Sequence, residues 1–177
     1  MEIRDYNKED SKTILSFIND ENLFYMWSAG VLGSYPLKSE AFNKRISEMI
    51  DNNNFHPYVM LDNDKVVGFF SIRYKDIKVN LVTLGFIVID PTYRGKGIGK
   101  KMLNLAINLS FNKYKADSLN LRVFVDNKSA YNCYKAVGFK ETSIEETYNL
   151  NNRQYLVKEL ELKKEWGSPF FFCLNIN

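Results

Sequence analysis

Residues 84–101 read LGFIVIDPTYRGKGIGKK, and this stretch decides the fold prediction. Its first half, from Leu84 to Asp90, is an apolar run rich in β-branched residues, which predicts a buried strand that ends before Pro91. Three alternate glycines follow, and apolar residues then recur at helical spacing to about Tyr114. The stretch therefore predicts a strand, a glycine turn and a helix that begins inside the glycine run.

The glycine turn has the composition of a phosphate-binding site. Glycines allow consecutive backbone N–H groups to converge on one point without interference from a Cβ, and a helix N-terminus adds partial positive charge. Four cations strengthen the local field, namely Arg94, Lys96, Lys100 and Lys101. The turn is predicted to bind a di-anionic phosphate group, the alternative being that its glycines only make a tight turn.

Two common phosphate motifs do not match this turn. A Walker A loop ends in Gly-Lys-Ser/Thr, whereas Gly99 is followed by Lys100 and Lys101. A dinucleotide fingerprint reads Gly-x-Gly-x-x-Gly, whereas the spacing here is Gly95-x-Gly97-x-Gly99. The glycine spacing therefore matches neither the loop that binds nucleoside triphosphates nor the turn that binds dinucleotides.

Outward from the turn, the periodicity predicts one mixed α/β sheet. The predicted order is β-α-α-β-β-β-α-β-α-β-β, and residues 22–36 are predicted as a loop or broken helix that carries large aromatic side chains. We expect a single domain over 1–177, with acceptor-side helices and first strands in 1–62, a cofactor-binding core in 63–162 and an apolar tail in 163–177. The apolar tail suggests a homodimer or an added sheet contact.

Composition narrows the class of protein. The chain has 177 residues, 45% hydrophobic and 25% charged, as one globular domain requires. Its N-terminus is polar, and no apolar run is long enough to span a membrane. We therefore expect a cytoplasmic protein without membrane partners. One histidine and two cysteines predict neither a metal site nor a disulfide framework. A net charge of +3 is too small to predict nucleic-acid binding.

Two motifs resemble those of the GCN5-related N-acetyltransferase (GNAT) family. Arg94-x-x-Gly97-x-Gly99 matches the family's motif A, and residues 127–139, NKSAYNCYKAVGF, match motif B, Asn-x-x-Ala-x-x-x-Tyr-x-x-x-Gly-Phe. Both occur in the family's order, with a predicted strand between them. The resemblance covers roughly residues 65–162, and it implies a mostly antiparallel sheet of about seven strands flanked by helices.

The resemblance implies an acetyl-CoA-dependent N-acetyltransferase that moves an acetyl group to a primary amine by direct attack in a ternary complex. Acetyl-CoA would lie in a V-shaped opening between strands 81–90 and 118–125, with Asn127 on its pantetheine arm and Tyr134 as the general acid. The remaining cofactor-binding positions implied by the resemblance are Ile87, Val88, Ile89, Arg94, Gly95, Lys96, Gly97, Ile98, Gly99 and Lys100. No metal is implied.

This chain has no glutamate at the positions where family members carry their general base. Some members carry a glutamate five residues before the motif B asparagine, where this chain has Arg122, and others carry one on the strand before motif A, where it has Thr83, Gly85 and Ile87. The remaining candidates are His56, Tyr74, Tyr148 or ordered water. Cys133 lies on the motif B helix and is interpreted as a packing residue.

The acceptor is expected to be an amine-bearing small molecule or peptide. In the family, the first two helices and the last hairpin bind the acceptor, and here they carry aromatic and acidic residues that could bind a cation: Phe24, Tyr25, Trp27, Tyr35, Tyr148, Tyr155, Asp20, Glu21, Glu145 and Glu146. Core packing is the alternative for each. Two other functions stay open, a non-catalytic acyl-CoA-binding module of the same fold and a basic nucleic-acid-binding domain.

Overall fold

A computed structural model of the chain describes residues 1–52 and 54–164. Within these residues, the strands are β1 (Glu2–Asp5), β2 (Phe55–Asp62), β3 (Lys65–Asp76), β4 (Leu81–Ile89), β5 (Ser118–Phe124), β6 (Lys140–Leu150) and β7 (Arg153–Lys163). The helices are α1 (Ser11–Ser16), α2 (Glu21–Ser28), α3 (Ser39–Asn52), α4 (Ile98–Asn112) and α5 (Lys128–Ala136). Most of the predicted apolar tail lies outside the described residues.

All seven strands form one sheet in the order β1-β2-β3-β4-β5-β7-β6. Only β4 and β5 run parallel among the described strands, and every other neighbouring pair is antiparallel. The prediction of a mixed, mostly antiparallel sheet flanked by helices is therefore confirmed.

The parallel strands separate soon after they begin. β4 and β5 pair at three positions, of which the last is Thr83 with Asn120. β4 stays paired with β3 as far as Ile89, and β5 stays paired with β7 as far as Phe124. Each strand is thus fixed on its outer edge while a gap opens between their carboxyl-terminal halves.

A bulge in β4 lies beside this gap. Val88 pairs with Phe69 and Gly85 pairs with Ser71, so two β4 residues face one β3 residue. Phe86, one of the two, has a φ of +48°. The extra residue changes the side of the sheet that each side chain faces. Leu84 packs in the core under α4, whereas Phe86 and Val88 pack in the core under α1, α2 and α3.

Residues 22–36 were predicted as a loop or broken helix, and their first part is the regular helix α2. The Asp20 side chain accepts a hydrogen bond from Leu23 N at 2.7 Å, which caps the helix start, and Ala29 ends it with a φ of +49°. Phe24 and Trp27, three residues apart, are both buried. The large aromatic residues thus form the inner face of a helix.

The described residues contain neither a membrane-spanning helix nor a cluster of metal ligands. No described helix is long and apolar enough to cross a membrane. No three His, Cys, Asp or Glu side chains within 1–52 and 54–164 are grouped as metal ligands.

Candidate active site

The glycine turn joins β4 to α4 and has an open outer face. Gly97 is the N-cap of α4, and Gly95 and Gly97 have φ values of +74° and +77°, which L side chains rarely adopt. A Cβ built on either glycine would meet no heavy atom within 4 Å. The turn therefore has room for a ligand against its backbone, as a phosphate at a helix N-terminus requires.

Asp90 fixes the corner between β4 and the glycine turn. Its buried carboxylate accepts hydrogen bonds from Thr92 N at 2.8 Å and Thr92 Oγ1 at 2.7 Å, and Lys65 Nζ lies 3.2 Å away. Burial raises the pKa of Asp90, but the bonds from Thr92 and Lys65 outweigh it, so the pKa is lowered overall. The charged carboxylate holds the turn in place.

The four cations of the turn divide into two groups. Arg94 donates to Ile89 O and Phe17 O, both at 3.1 Å, so its guanidinium connects the turn to the end of α1. Lys96 donates to Thr92 O at 2.9 Å. Lys100 and Lys101 are exposed and have no hydrogen-bond or ion-pair partner in the described part of the chain. These two side chains are the ones available to an anion.

A narrow cleft lies where β4 and β5 separate. Its volume is about 70 Å³, and its walls are residues 84–88 of β4, residues 121–124 of β5, three residues of α2 (Leu23, Met26 and Trp27), and Asn127 and Tyr134. Asn127 Oδ1 accepts from Ala130 N at 3.2 Å and caps α5. Beyond Thr83, the β5-facing edge of β4 has no strand partner among the described residues. The predicted positions Ile87, Val88, Asn127 and Tyr134 are thus brought together.

Tyr134 is positioned by α5 and by the glycine that ends this helix. Gly138 has a φ of +103° and turns the chain so that Phe139 packs edge-on against the Tyr134 ring, with centroids 6.4 Å apart. Burial raises the pKa of Tyr134. Its hydroxyl has no hydrogen-bond partner among the described residues. The phenol therefore stays protonated at neutral pH and is free to donate.

A second, larger cavity adjoins the cleft. Its volume is about 330 Å³, and it shares residues 84–86, Met26, Trp27, Arg122 and Phe124 with the cleft. Its walls come from α2, α3, β2, β3, β4, β5 and the β6–β7 hairpin. Trp27 and Tyr148 are the acceptor-side aromatic residues that line it, whereas Phe24 and Tyr155 are buried in the cores.

The polar wall of the larger cavity was not predicted from the sequence. Glu159 is 6% exposed and accepts from Lys75 Nζ at 2.9 Å and from Asn120 Nδ2 at 3.0 Å, and Arg122 Nε lies 3.6 Å away. Thr83 Oγ1 donates to Asn120 Oδ1 at 2.6 Å. A period-two polar pattern in β3, at positions 71, 73 and 75, was the signal that could have revealed this wall.

The structure separates the base candidates. His56 packs against Tyr114, with ring centroids 5.0 Å apart, and burial and Lys113 lower its pKa. Tyr74 donates to Tyr114 O at 2.7 Å, and neither His56 nor Tyr74 lines the cleft or the larger cavity. Tyr148 does line the larger cavity, and its hydroxyl accepts from Arg122 Nη1 at 2.8 Å and donates to Glu146 at 3.1 Å.

Cys133 lies on α5 where this helix passes α4. A Cβ built on Gly99 would lie 3.4 Å from Cys133 Sγ. Burial raises the pKa of the Cys133 thiol, although Lys100 lowers it in part. A protonated, packed thiol agrees with the interpretation of Cys133 as a packing residue.

Comparison with known proteins agrees with this geometry. The family model described as "Acetyltransferase (GNAT) family" matches residues 16–139. The chain belongs to the GNAT acetyltransferase family. This acetyltransferase is 25% identical over 163 residues to a spermidine N(1)-acetyltransferase of Vibrio cholerae, covering 89% of this chain and 90% of that protein. It is 29% identical over 135 residues to a peptidyl-lysine N-acetyltransferase of Salmonella typhimurium, covering 73% and 83%.

A solved structure has the same fold as this acetyltransferase. It is the Vibrio cholerae spermidine N-acetyltransferase in complex with CoA and spermine, with a TM-score of 0.76 and 20% identity, covering 92% of this chain and 94% of that one. Together with the family match, the relatives confirm the prediction of an acetyl-CoA-dependent N-acetyltransferase that acts on an amine.

Proposed function

We propose that this enzyme binds acetyl-CoA in the gap between β4 and β5 and a primary amine in the larger cavity. The observation that carries the proposal is the position of Tyr134, which lines the cleft where the strands separate and whose hydroxyl has no hydrogen-bond partner among the described residues. The open glycine turn follows the end of β4, and its backbone N–H groups suit the pyrophosphate. In this arrangement, residues 63–162 bind the cosubstrate, and α2 supplies part of the acceptor wall.

Backbone groups of β4 provide the binding edge for the cosubstrate. Beyond Thr83 no described strand pairs with this edge, so the pantetheine arm pairs with Ile87, Val88 and Ile89 in place of a strand. A β4 N–H donates to the thioester carbonyl and stabilises the negative charge that develops on its oxygen. The bulge at Phe86 sets which N–H groups face the gap.

The proposed reaction moves one acetyl group and two protons. The neutral amine forms the new C–N bond, the C–S bond breaks, and Tyr134 donates its proton to the departing thiolate, so that an amide and CoA result. The amine loses a proton towards Tyr148, whose hydroxyl is hydrogen-bonded to Glu146 near the surface.

The test is a steady-state assay of free thiol release from acetyl-CoA with a panel of primary amines. We expect turnover with at least one amine and initial-rate lines that intersect when both substrates are varied, because both must be bound before attack. Parallel lines would indicate a covalent acetyl-enzyme and contradict the ternary complex. Tight acetyl-CoA binding without turnover of any amine would support the non-catalytic module instead.

A further inference from the structure

The larger cavity has a positive wall. The charged side chains that line it are Arg73, Lys75 and Arg122, and no aspartate or glutamate is among its lining residues in the described chain. Ser71, Arg73 and Lys75 alternate along β3 and all three line the cavity. A polycation such as spermidine would meet repulsion from this wall, whereas an anionic group would be attracted.

Two of these three cations are neutralised by carboxylates behind the wall. Lys75 Nζ lies 2.9 Å from Glu159, and Arg122 Nη2 lies 2.8 Å from Glu146. Arg73 has no hydrogen-bond or ion-pair partner among residues 1–52 and 54–164. The wall therefore carries one uncompensated positive charge, and it is the Arg73 guanidinium.

Arg73 lies near a second unused donor. Ser71 is 2% exposed, and its hydroxyl makes no hydrogen bond within the part of the chain that the structure describes. The register places Ser71 opposite Gly85 and Arg73 opposite Thr83, so both residues line the cavity beside the start of the strand gap. A guanidinium and a hydroxyl on one strand face are suited to a carboxylate, which accepts from both.

We propose that the acceptor is a primary amine that also carries a carboxylate, held by Arg73 and Ser71 while its amine points towards the β4–β5 gap. This inference rests on the proposed function and names the acceptor class of the same cavity. It distinguishes this enzyme from the relatives whose names specify spermidine or peptidyl-lysine.

The register also limits the length of the acceptor. Arg73 lies opposite Thr83. Gly85 and Ile87 are two and four residues further along β4, so the distance from Thr83 to these positions is roughly 7–13 Å. The carboxylate and the amine are therefore separated by a chain of several bonds. Across glycine, β-alanine, γ-aminobutyrate and ε-aminocaproate, we expect kcat/KM to be lowest for glycine.

The experiment compares three acceptors of equal length that differ at one end. These are γ-aminobutyrate, its carboxamide, and putrescine, assayed by thiol release with saturating acetyl-CoA. We expect the wild type to favour the carboxylate over the amide by about tenfold in kcat/KM, as a charge-assisted contact implies. In Arg73→Gln this ratio should fall to about one, and in Arg73→Glu the preference should move towards putrescine.

The matched control is Lys44→Gln, which removes an exposed cation on α3 that does not line the cavity. It should leave the ratio unchanged, and acetyl-CoA affinity measured by calorimetry should be the same in every variant. A wild-type preference for putrescine or the amide, or an unchanged ratio in Arg73→Gln, would overturn the inference. If the wild type acetylated none of these amines nor spermidine, the proposed function itself would fail.

Discussion

Glu159 is the buried carboxylate on which the polar wall of the acceptor cavity depends. It contacts Lys75, Asn120 and Arg122, and its side chain is 7% exposed. Glu159→Gln removes the negative charge and leaves two cations side by side, so we expect the free energy of unfolding to fall by about 1–3 kcal/mol. Urea denaturation measures this change.

Glu161→Gln, two residues further along β7, is the matched control. Glu161 lies 3.7 Å from the largely exposed Lys163, and its loss should change stability by less than about 0.5 kcal/mol. Equal effects of the two substitutions would show that Glu159 does not hold the wall together.

The pKa of Tyr134 predicts the alkaline limb of the pH profile. A general acid must be protonated to act, and burial raises the pKa of Tyr134 above the ordinary tyrosine value of about 10. Activity should therefore rise with pH as the amine deprotonates, without a decline in kcat below about pH 10. A profile of kcat from pH 6 to 10 that fell through an apparent pKa of about 8 would contradict this assignment of the acid.

At the residue scale, the sequence predicted the residues that belong to a local motif. Tyr134 and Asn127 lie seven residues apart on one helix and its cap, so spacing alone places them together. Arg73 and Asn120 line the cavity and Glu159 lies behind its wall, and only the register of the sheet brings these residues of three strands together. Their proximity is set by long-range pairing, which a local pattern does not contain.

A substitution in the glycine turn should weaken acetyl-CoA binding without unfolding the protein. In Gly97→Val the new side chain would occupy the open face of the turn where the pyrophosphate is proposed to lie. The positive φ adds a strain of about 1–2 kcal/mol. We expect at least a hundredfold loss of acetyl-CoA affinity by calorimetry, with a far-ultraviolet circular dichroism spectrum like that of the wild type.

Gly33→Val is the control for strain, because Gly33 also has a positive φ, of +111°, and lies outside both cavities. It should lower stability to a similar degree and leave acetyl-CoA affinity unchanged. Wild-type affinity in Gly97→Val would remove the turn from the binding site.

Among the elements, β4 and α2 show where local patterns reach their limit. The run from Leu84 to Asp90 predicts a strand, but its apolar residues are nearly continuous, so the pattern does not reveal the bulge that moves Phe86 to the other core. Phe86 adopts its left-handed conformation between Trp27 and Phe55, with ring centroids 5.9 and 5.8 Å away. Distant packing sets this conformation, so the sequence window does not predict it.

At the scale of the whole molecule, the described sheet packs against two large cores, a small cluster of Phe124, Tyr155 and Val157 lies beside them, and β4 and β5 separate at a gap. One core lies under α4 and α5 and the other under α1, α2 and α3, and both support the strands that separate. The order of elements was predictable because each has a periodic pattern and capping residues, whereas the shape of the acceptor cavity depends on residues from eight elements, α2, α3 and β2 to β7. The homodimer expected from the apolar tail stays a prediction.

Tyr134 is proposed to protonate the departing thiolate in the gap between β4 and β5. The most direct measurement is kcat for acetyl transfer, with acetyl-CoA affinity measured in parallel, in Tyr134→Phe and in the control Tyr131→Phe. Tyr131 lies one turn earlier on α5, and its hydroxyl donates to Glu141 outside the cleft. We predict that Tyr134→Phe lowers kcat by about 10²–10⁴-fold with unchanged acetyl-CoA affinity, while Tyr131→Phe retains wild-type kcat. A kcat for Tyr134→Phe within about threefold of the wild type would contradict the account.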